Sequence, residues 1–378
     1  MGQAAANPII GISGSYGGLN LGDEAILTAI VQELRARMPA VDVVVFSREA
    51  EHTRAHHDVD RVVAARDSVR RELLEEIERL DLLVLGGGGI LYDREAKPYL
   101  HVARLAQDAG VRTATYAIGV GPLERPSERE AVAETLDRME CITVRDAPAK
   151  QLLEEIGVER EALVTADPAL LLEPQPFRDG DLLAEGVRRA RPLVGLSVRE
   201  PGGAAAELEP GVYHRLLADA ADFIVARFGA DVLFVPMERQ DIGESHRVVA
   251  EMAMPERASV LRASYEPGEV LGLMRHLDMA VGMRLHFLIF AAMANVPLMP
   301  LPYASKVSAL FDRLELRAPP PVKREHGGEL LARIDQLWDE RDEQRELLRA
   351  RVPELQECAR RSSAAIAEVL TNATTGPA

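Results

Sequence analysis

Short, unbroken apolar runs alternate along the chain with longer stretches in which apolar residues recur every three to four positions. Ile9–Ser13 is the first apolar run, a helical pattern follows from about Glu24 to Met38, and Val41–Phe46 is the next run. Strand, helix, strand is the unit of a parallel sheet, because a parallel neighbour is reached only through a crossover that packs on the sheet face. Asp81–Leu85, Thr113–Gly119, Cys141–Val144 and Leu163–Asp167 continue the series. They lack polar alternation, which predicts strands covered on both faces. Asp146 stands where an N-cap belongs before Ala147–Ile156, and Gly157 stands where that helix must stop in a left-handed conformation.

From Glu173 to Pro192 the chain turns polar around Pro174, Pro176 and Pro192, which predicts a linker. The alternation then restarts. Strands are expected at Leu193–Arg199, Asp231–Pro236, Ser259–Arg262, Asp278–Met283 and Pro297–Pro302, and helices at Tyr213–Phe228, Ile242–Met252, from Pro267 and at Arg284–Asn295. After Pro319-Pro320-Pro321 a charged helical pattern runs from about Leu330 to Leu370. The expectation is an α/β protein: two doubly wound Rossmann-like domains, residues 1–175 and 190–322, and a helical extension over 323–378. With the long C-terminal helix packing back across both domains this is a GT-B-like arrangement, whose default ligand site is the cleft between the domains.

Composition narrows the class of protein. A chain of 378 residues that is 47% hydrophobic exceeds one ordinary core. The longest apolar stretch, Phe287–Leu301, is broken by Asn295, Pro297 and Pro300 and falls short of the roughly 18 residues of a membrane span. No basic segment precedes the first apolar run, and Ala6 stands where a myristoylation signal needs Ser or Thr, so a soluble cytoplasmic protein is expected. Cys141 and Cys358 lie far apart with no CxxC or His partner, which suggests neither a disulfide framework nor a zinc site. A formal charge of −16 argues against a general nucleic-acid binder. An anionic small substrate would need locally placed Arg, His or helix amino termini.

Four places carry candidate chemistry. Gly14 to Glu24 lies between a strand and a helix and includes Gly17, Gly18, Asn20, Gly22 and Asp23. It is not GxGxxG, and Asp23 occupies the position of a P-loop lysine, which disfavours a nucleotide phosphate. Asp23 either caps the following helix or offers a carboxylate to a hydroxyl-rich acceptor. Gly86-Gly87-Gly88-Gly89 follows an apolar run; a tight turn needs fewer glycines, so close approach of a ligand to backbone is the favoured reading. Arg284-Leu285-His286 sits where a strand gives way to a helix, where amide donors and the helix dipole favour an anion. Arg199 ends the first strand of the second domain beside Glu200, and Lys306 follows the last strand after Tyr303. Each is either a surface charge or a further cation for the same ligand.

Taken in order, Asn20-Leu-Gly-Asp23-Glu24-Ala25, Gly86 to Asp93, Arg145-Asp146, Asp167-Pro168, Ser197-Val-Arg199 and Met283-Arg-Leu-His286 through Lys306-Val307 resemble the polysaccharide pyruvyl transferase family. The chain looks most like the branch that ketalates secondary cell-wall polysaccharide in bacteria with S-layers. The resemblance runs from about Pro8 to Phe311. It implies phosphoenolpyruvate as donor and co-substrate, and no cofactor. The implied product is a 4,6-linked pyruvyl ketal on a hexose such as N-acetylmannosamine of a lipid-linked or polysaccharide acceptor. The family's Arg-Leu-His element falls on Arg284, Leu285 and His286, and its donor-binding Arg on Arg199.

The implied chemistry suits these residue types. Two Arg and a helix amino terminus match a carboxylate and a phosphate. His286 suits proton donation, and Asp23 or Glu24 can serve the attacking hydroxyl. Catalytic roles are thus expected for His286, Arg284, Arg199 and Asp23, and substrate contacts for Asn20, Glu24, Gly88, Gly89, Leu285 and Lys306, with no metal. Nucleic acid is not expected as a partner, and a membrane face is approached only through the acceptor. The alternatives on the same architecture are a nucleotide-sugar glycosyltransferase or epimerase and a sugar-binding scaffold without turnover.

Overall fold

A computed structural model describes residues 7–18, 20–65, 68, 70–200, 210–301, 305–316 and 327–374. The chain divides into two compact units, one of Met1–Leu19, Asp23–Leu172 and Leu355–Ala378, the other of Asn20–Gly22 and Glu173–Glu354. Among the described residues no helix is long and apolar enough to cross a membrane.

The first unit is built on seven strands: β1 (Ile9–Ser13), β2 (Asp42–Ser47), β3 (Arg61–Ala64), β4 (Leu82–Leu91), β5 (Arg112–Val120), β6 (Ile142–Val144) and β7 (Ala162–Val164). They form one parallel sheet in the order β3-β2-β1-β4-β5-β6-β7. The apolar run Leu82–Leu85 is buried throughout, as a strand covered on both faces must be. Asp146 does cap its helix, its carboxylate accepting from the Ala149 amide at 2.9 Å, and Gly157 ends that helix with φ +88°.

The second unit carries β8 (Leu193–Ser197), β9 (Asp231–Phe234), β10 (Ala258–Val260), β11 (Met279–Gly282) and β12 (Leu298–Pro300), parallel and in the order β10-β9-β8-β11-β12. Both units are therefore Rossmann-like and doubly wound. In each, the strand order reverses once, between β1 and β4 and between β8 and β11. At such a reversal the connections leave the carboxyl ends of the two strands in opposite directions, and a crevice opens between them. Topology thus places the loops that follow β1 and β4, and those that follow β8 and β11, side by side.

The carboxyl-terminal pattern resolves into two helices, Gly327–Asp339 and Arg341–Thr374. The first belongs to the second unit: Leu330, Ile334 and Leu337 join its core, and Trp338 stacks on Phe228 at 4.4 Å. The last turns of the other helix complete the first unit, where Ser362 donates to the Thr165 hydroxyl at 2.8 Å and the Gln356 amide to the Leu170 carbonyl at 2.9 Å. Pro319, Pro320 and Pro321 lie outside the described residues.

Candidate functional site

In the first unit the four glycines are not a loop after a strand, as expected, but β4 itself. Gly86 pairs with Tyr116, Gly88 with Ile118 and Gly89 with Gly119. The missing side chains are supplied by neighbours. A Cβ on Gly86 would lie 2.4 Å from the Tyr16 phenol oxygen, and one on Gly87 would lie 2.6 Å from Ile26. Two glycines therefore serve packing. Gly88 adopts φ +90°, a conformation glycine alone takes without strain, and a Cβ there would lie 3.5 Å from a carboxylate oxygen of Asp23. Gly89 is exposed, and the Arg145 guanidinium lies 3.6 Å from its Cβ position. Near the carboxyl end of β4, Gly89 alone of the four exposes its backbone, with the Arg145 guanidinium beside it and the Asp23 carboxylate beside the buried Gly88.

The loop after β1 is held from within. Tyr16 is fully buried, and its phenol is pushed well above the usual range by burial and, secondarily, by the charges of Asp23 and Glu24. Glu24 uses both oxygens on the fold: one accepts from the Gly17 amide at 2.9 Å, the other from His57 Nε2 at 2.6 Å, while His57 Nδ1 meets the Thr28 hydroxyl at 3.2 Å. These contacts make Glu24 the anchor of the glycine loop. Asp23, one residue earlier, is half-buried beside Gly88.

Arg145 was singled out by sequence only as part of a motif. Its guanidinium lies flat against Gly119, where a Cβ would come within 2.6 Å, and contacts Asp146 and Asp167 at 3.3 Å each. The available signal was a glycine on the neighbouring strand, in register with Gly89.

The second unit gathers Asn20, Arg199, Arg284, Leu285 and His286. Asn20–Gly22 belongs to it through a bridge to Glu238: the Asn20 amide donates to Glu238 Oε1 at 2.5 Å and the Leu21 amide to the Met237 carbonyl at 2.9 Å. The His286 imidazole lies on Gly22, where a Cβ would come within 1.9 Å of Nδ1. Leu285 begins the helix Leu285–Met293 and is buried. Lys306 lies in the first turn of the helix Ser305–Arg313, but its side chain, like Tyr303, lies outside the described residues.

Arg284 was expected to meet an external anion, and the structure gives it protein carboxylates. Its Nε donates to Asp241 Oδ2 at 3.0 Å, Nη2 to Asp241 Oδ1 at 2.6 Å and Nη1 to Glu238 Oε1 at 2.7 Å. Asp241 is fully buried and also accepts from the Met237 and Glu238 amides at 3.1 Å each. Burial pushes the Asp241 carboxyl above the usual carboxylate range, and the Arg284 contacts offset only part of that. Sequence reading missed Asp241 and Glu238, which stand more than 40 positions before Arg284 and carry no local mark of the pairing.

Arg199 lies two residues beyond β8, its Nη2 3.4 Å from the Glu200 carboxylate. The Tyr213 hydroxyl, also missed, donates to the Arg199 carbonyl at 2.6 Å and lies 2.8 Å from Met283 Sδ, tying the segment after β8 to the residue after β11. Among the described residues no cluster of three or more His, Cys, Asp or Glu could hold a metal ion.

The family profile described as polysaccharide pyruvyl transferase matches residues 20–305, well over half of the chain. No curated protein matches the sequence. Solved structures share the fold across nearly its whole length. A putative UDP-N-acetylglucosamine 2-epimerase from Listeria monocytogenes has a TM-score of 0.66 at 12% identity, covering 95% of this chain and 96% of that one. A UDP-GlcNAc 2-epimerase from Neisseria meningitidis bound to UDP-GlcNAc has 0.64 at 9% identity, covering 97% and 100%. The ADP-heptose LPS heptosyltransferase II of E. coli has 0.52 at 14% identity, covering 89% and 99%. At these identities the likeness establishes the fold, that of GT-B enzymes, and says nothing of substrate.

Proposed function

We propose that this chain, which belongs to the polysaccharide pyruvyl transferase family, moves the enolpyruvyl group of phosphoenolpyruvate onto two hydroxyls of a hexose in a cell-wall polysaccharide precursor and releases phosphate. The observation that carries the reading is the placement of Arg199 and Arg284-Leu285-His286 on neighbouring strand ends at the reversal point of the second unit. That is where an α/β sheet receives a ligand.

In this reading a proton added to C3 of the donor makes C2 oxocarbenium-like. A sugar hydroxyl adds to C2 and gives up its proton, phosphate leaves with the C2–O bonding pair, and the second hydroxyl adds to C2 and gives its proton to the departing phosphate, which closes the ketal. His286 supplies the first proton or hydrogen-bonds the departing phosphate. Arg199 meets the donor's anionic groups. Asp23 takes the proton of an acceptor hydroxyl. Arg284, already holding Asp241 and Glu238, fixes the turn from which His286 projects. No step calls for a metal or a cofactor. A 4,6-linked ketal on an N-acetylmannosamine-type residue is the product we favour, made on a lipid-linked acceptor at the cytoplasmic face of the membrane.

Phosphate release from phosphoenolpyruvate, measured against a panel of synthetic disaccharides, tests the reading. A chain that is stabilised thermally by a UDP-sugar and not by phosphoenolpyruvate is instead a nucleotide-sugar enzyme. One that binds glycan and releases no phosphate with any acceptor is a scaffold.

A further inference from the structure

Tyr92 and Leu183 are the exposed large hydrophobic residues among those described, and Tyr92 is 38% exposed. It comes directly after β4, three positions beyond the bare backbone of Gly89. An exposed aromatic on a floppy loop would carry no message. The segment that bears Tyr92 is pinned at each following residue. The Tyr92 carbonyl accepts from the Glu95 and Ala96 amides at 3.1 Å each. The Asp93 amide donates to the Pro122 carbonyl at 3.0 Å, and its carboxylate accepts from the Glu124 and Arg125 amides at 2.9 and 3.3 Å. Arg94 takes φ +74°, a strained conformation for a residue with a side chain, and its amide is held by the buried Glu128 carboxylate at 2.8 Å. Strain and six hydrogen bonds thus hold an aromatic ring in water. Burial and then Glu95, Tyr99 and Asp23 push the phenol up while Arg48 lowers it.

We propose that Tyr92 is the stacking platform for the acceptor pyranose. Its ring receives the apolar C–H face of the sugar, while the exposed Gly89 lets the sugar rim approach the backbone. A pre-set aromatic loses little freedom on binding, which is why rigid Tyr is effective in recognition. The inference rests on the acceptor half of the proposed function and is independent of the donor.

The test uses the full chain and a synthetic N-acetylmannosamine-terminated disaccharide, with affinity from titration calorimetry and sugar protons mapped by saturation-transfer NMR. Tyr92→Ala should weaken disaccharide binding, and raise acceptor KM, by roughly tenfold. Tyr92→Phe should stay within about twofold, because stacking needs the ring and not the hydroxyl. Donor KM and the melting midpoint should not move in either variant. Disaccharide affinity unchanged in a folded Tyr92→Ala protein overturns the proposal, as does a wild-type chain that does not bind the disaccharide. A wild type that binds the disaccharide through Tyr92 yet releases no phosphate from phosphoenolpyruvate upholds the platform and removes the donor assignment instead.

Discussion

Arg284→Ala should act first on stability. The substitution removes the cation from a fully buried Asp241 and from Glu238, leaving two carboxylates facing the space of the lost guanidinium. Breaking a buried pair by removing one partner costs about 3–5 kcal/mol, because the stranded charge stays desolvated. For a unit of this size each kcal/mol moves the melting midpoint by about 2–4 °C, so a fall of roughly 6–20 °C is expected. The pH dependence has a definite sign. Burial already raises the folded-state pKa of Asp241, and Arg284 is what holds it down. Without Arg284 it rises further, so folding takes up a proton and the variant is favoured below that pKa and penalised above it. The gap between wild type and variant should therefore narrow as pH falls from 7 towards 5. Arg284→Lys should recover only part of the loss, since an ammonium cannot reproduce the forked contact with Asp241. Circular dichroism melts across that pH range, run beside phosphoenolpyruvate titrations, decide the matter. A variant that melts within about 2 °C of wild type while losing donor affinity would refute this reasoning and return Arg284 to the role of an anion clamp.

Gly22→Ala would drive a methyl into the His286 imidazole, so turnover should collapse with a moderate loss of stability, about 1–3 kcal/mol; unchanged His286 ring signals by NMR together with normal turnover would count against it. Glu24→Ala should destabilise by about 2–3 kcal/mol, since the Gly17 amide and His57 both lose their acceptor; a variant with wild-type stability and a raised acceptor KM would restore Glu24 to a direct role in binding.

What the sequence disclosed was what local chemistry encodes. Asp146 as a cap and Gly157 as a stop are decided within four residues of each, and both stand as expected. The apolar strands were legible because burial on both faces leaves no polar alternation to blur them. Contacts made over distance were not. Glycine carries no strand preference, so nothing local shows that Gly86 and Gly87 belong inside β4; Tyr16 and Ile26, some 60 to 70 positions earlier, make that possible. Asn20 is bound to Glu238, 218 positions away, a pairing no periodicity announces. β3, Arg61–Ala64, is short and only half-buried, which leaves its pattern too weak to stand out.

The division of the chain bears on how the molecule is made. The first unit holds Met1–Leu19 and Asp23–Leu172 but is finished by Leu355–Ala378, the stretch that supplies Ser362 and Gln356 to Thr165 and Leu170. A ribosome delivers that stretch only after every residue of the second unit has been made. The usual order, in which an amino-terminal domain closes before its successor is translated, is therefore denied to this protein. While the second unit is being synthesised, the first must wait with Thr165 and Leu170 uncovered. A fragment ending at Leu172 would be stranded at the same stage, and chaperone dependence during synthesis should be greatest in that interval.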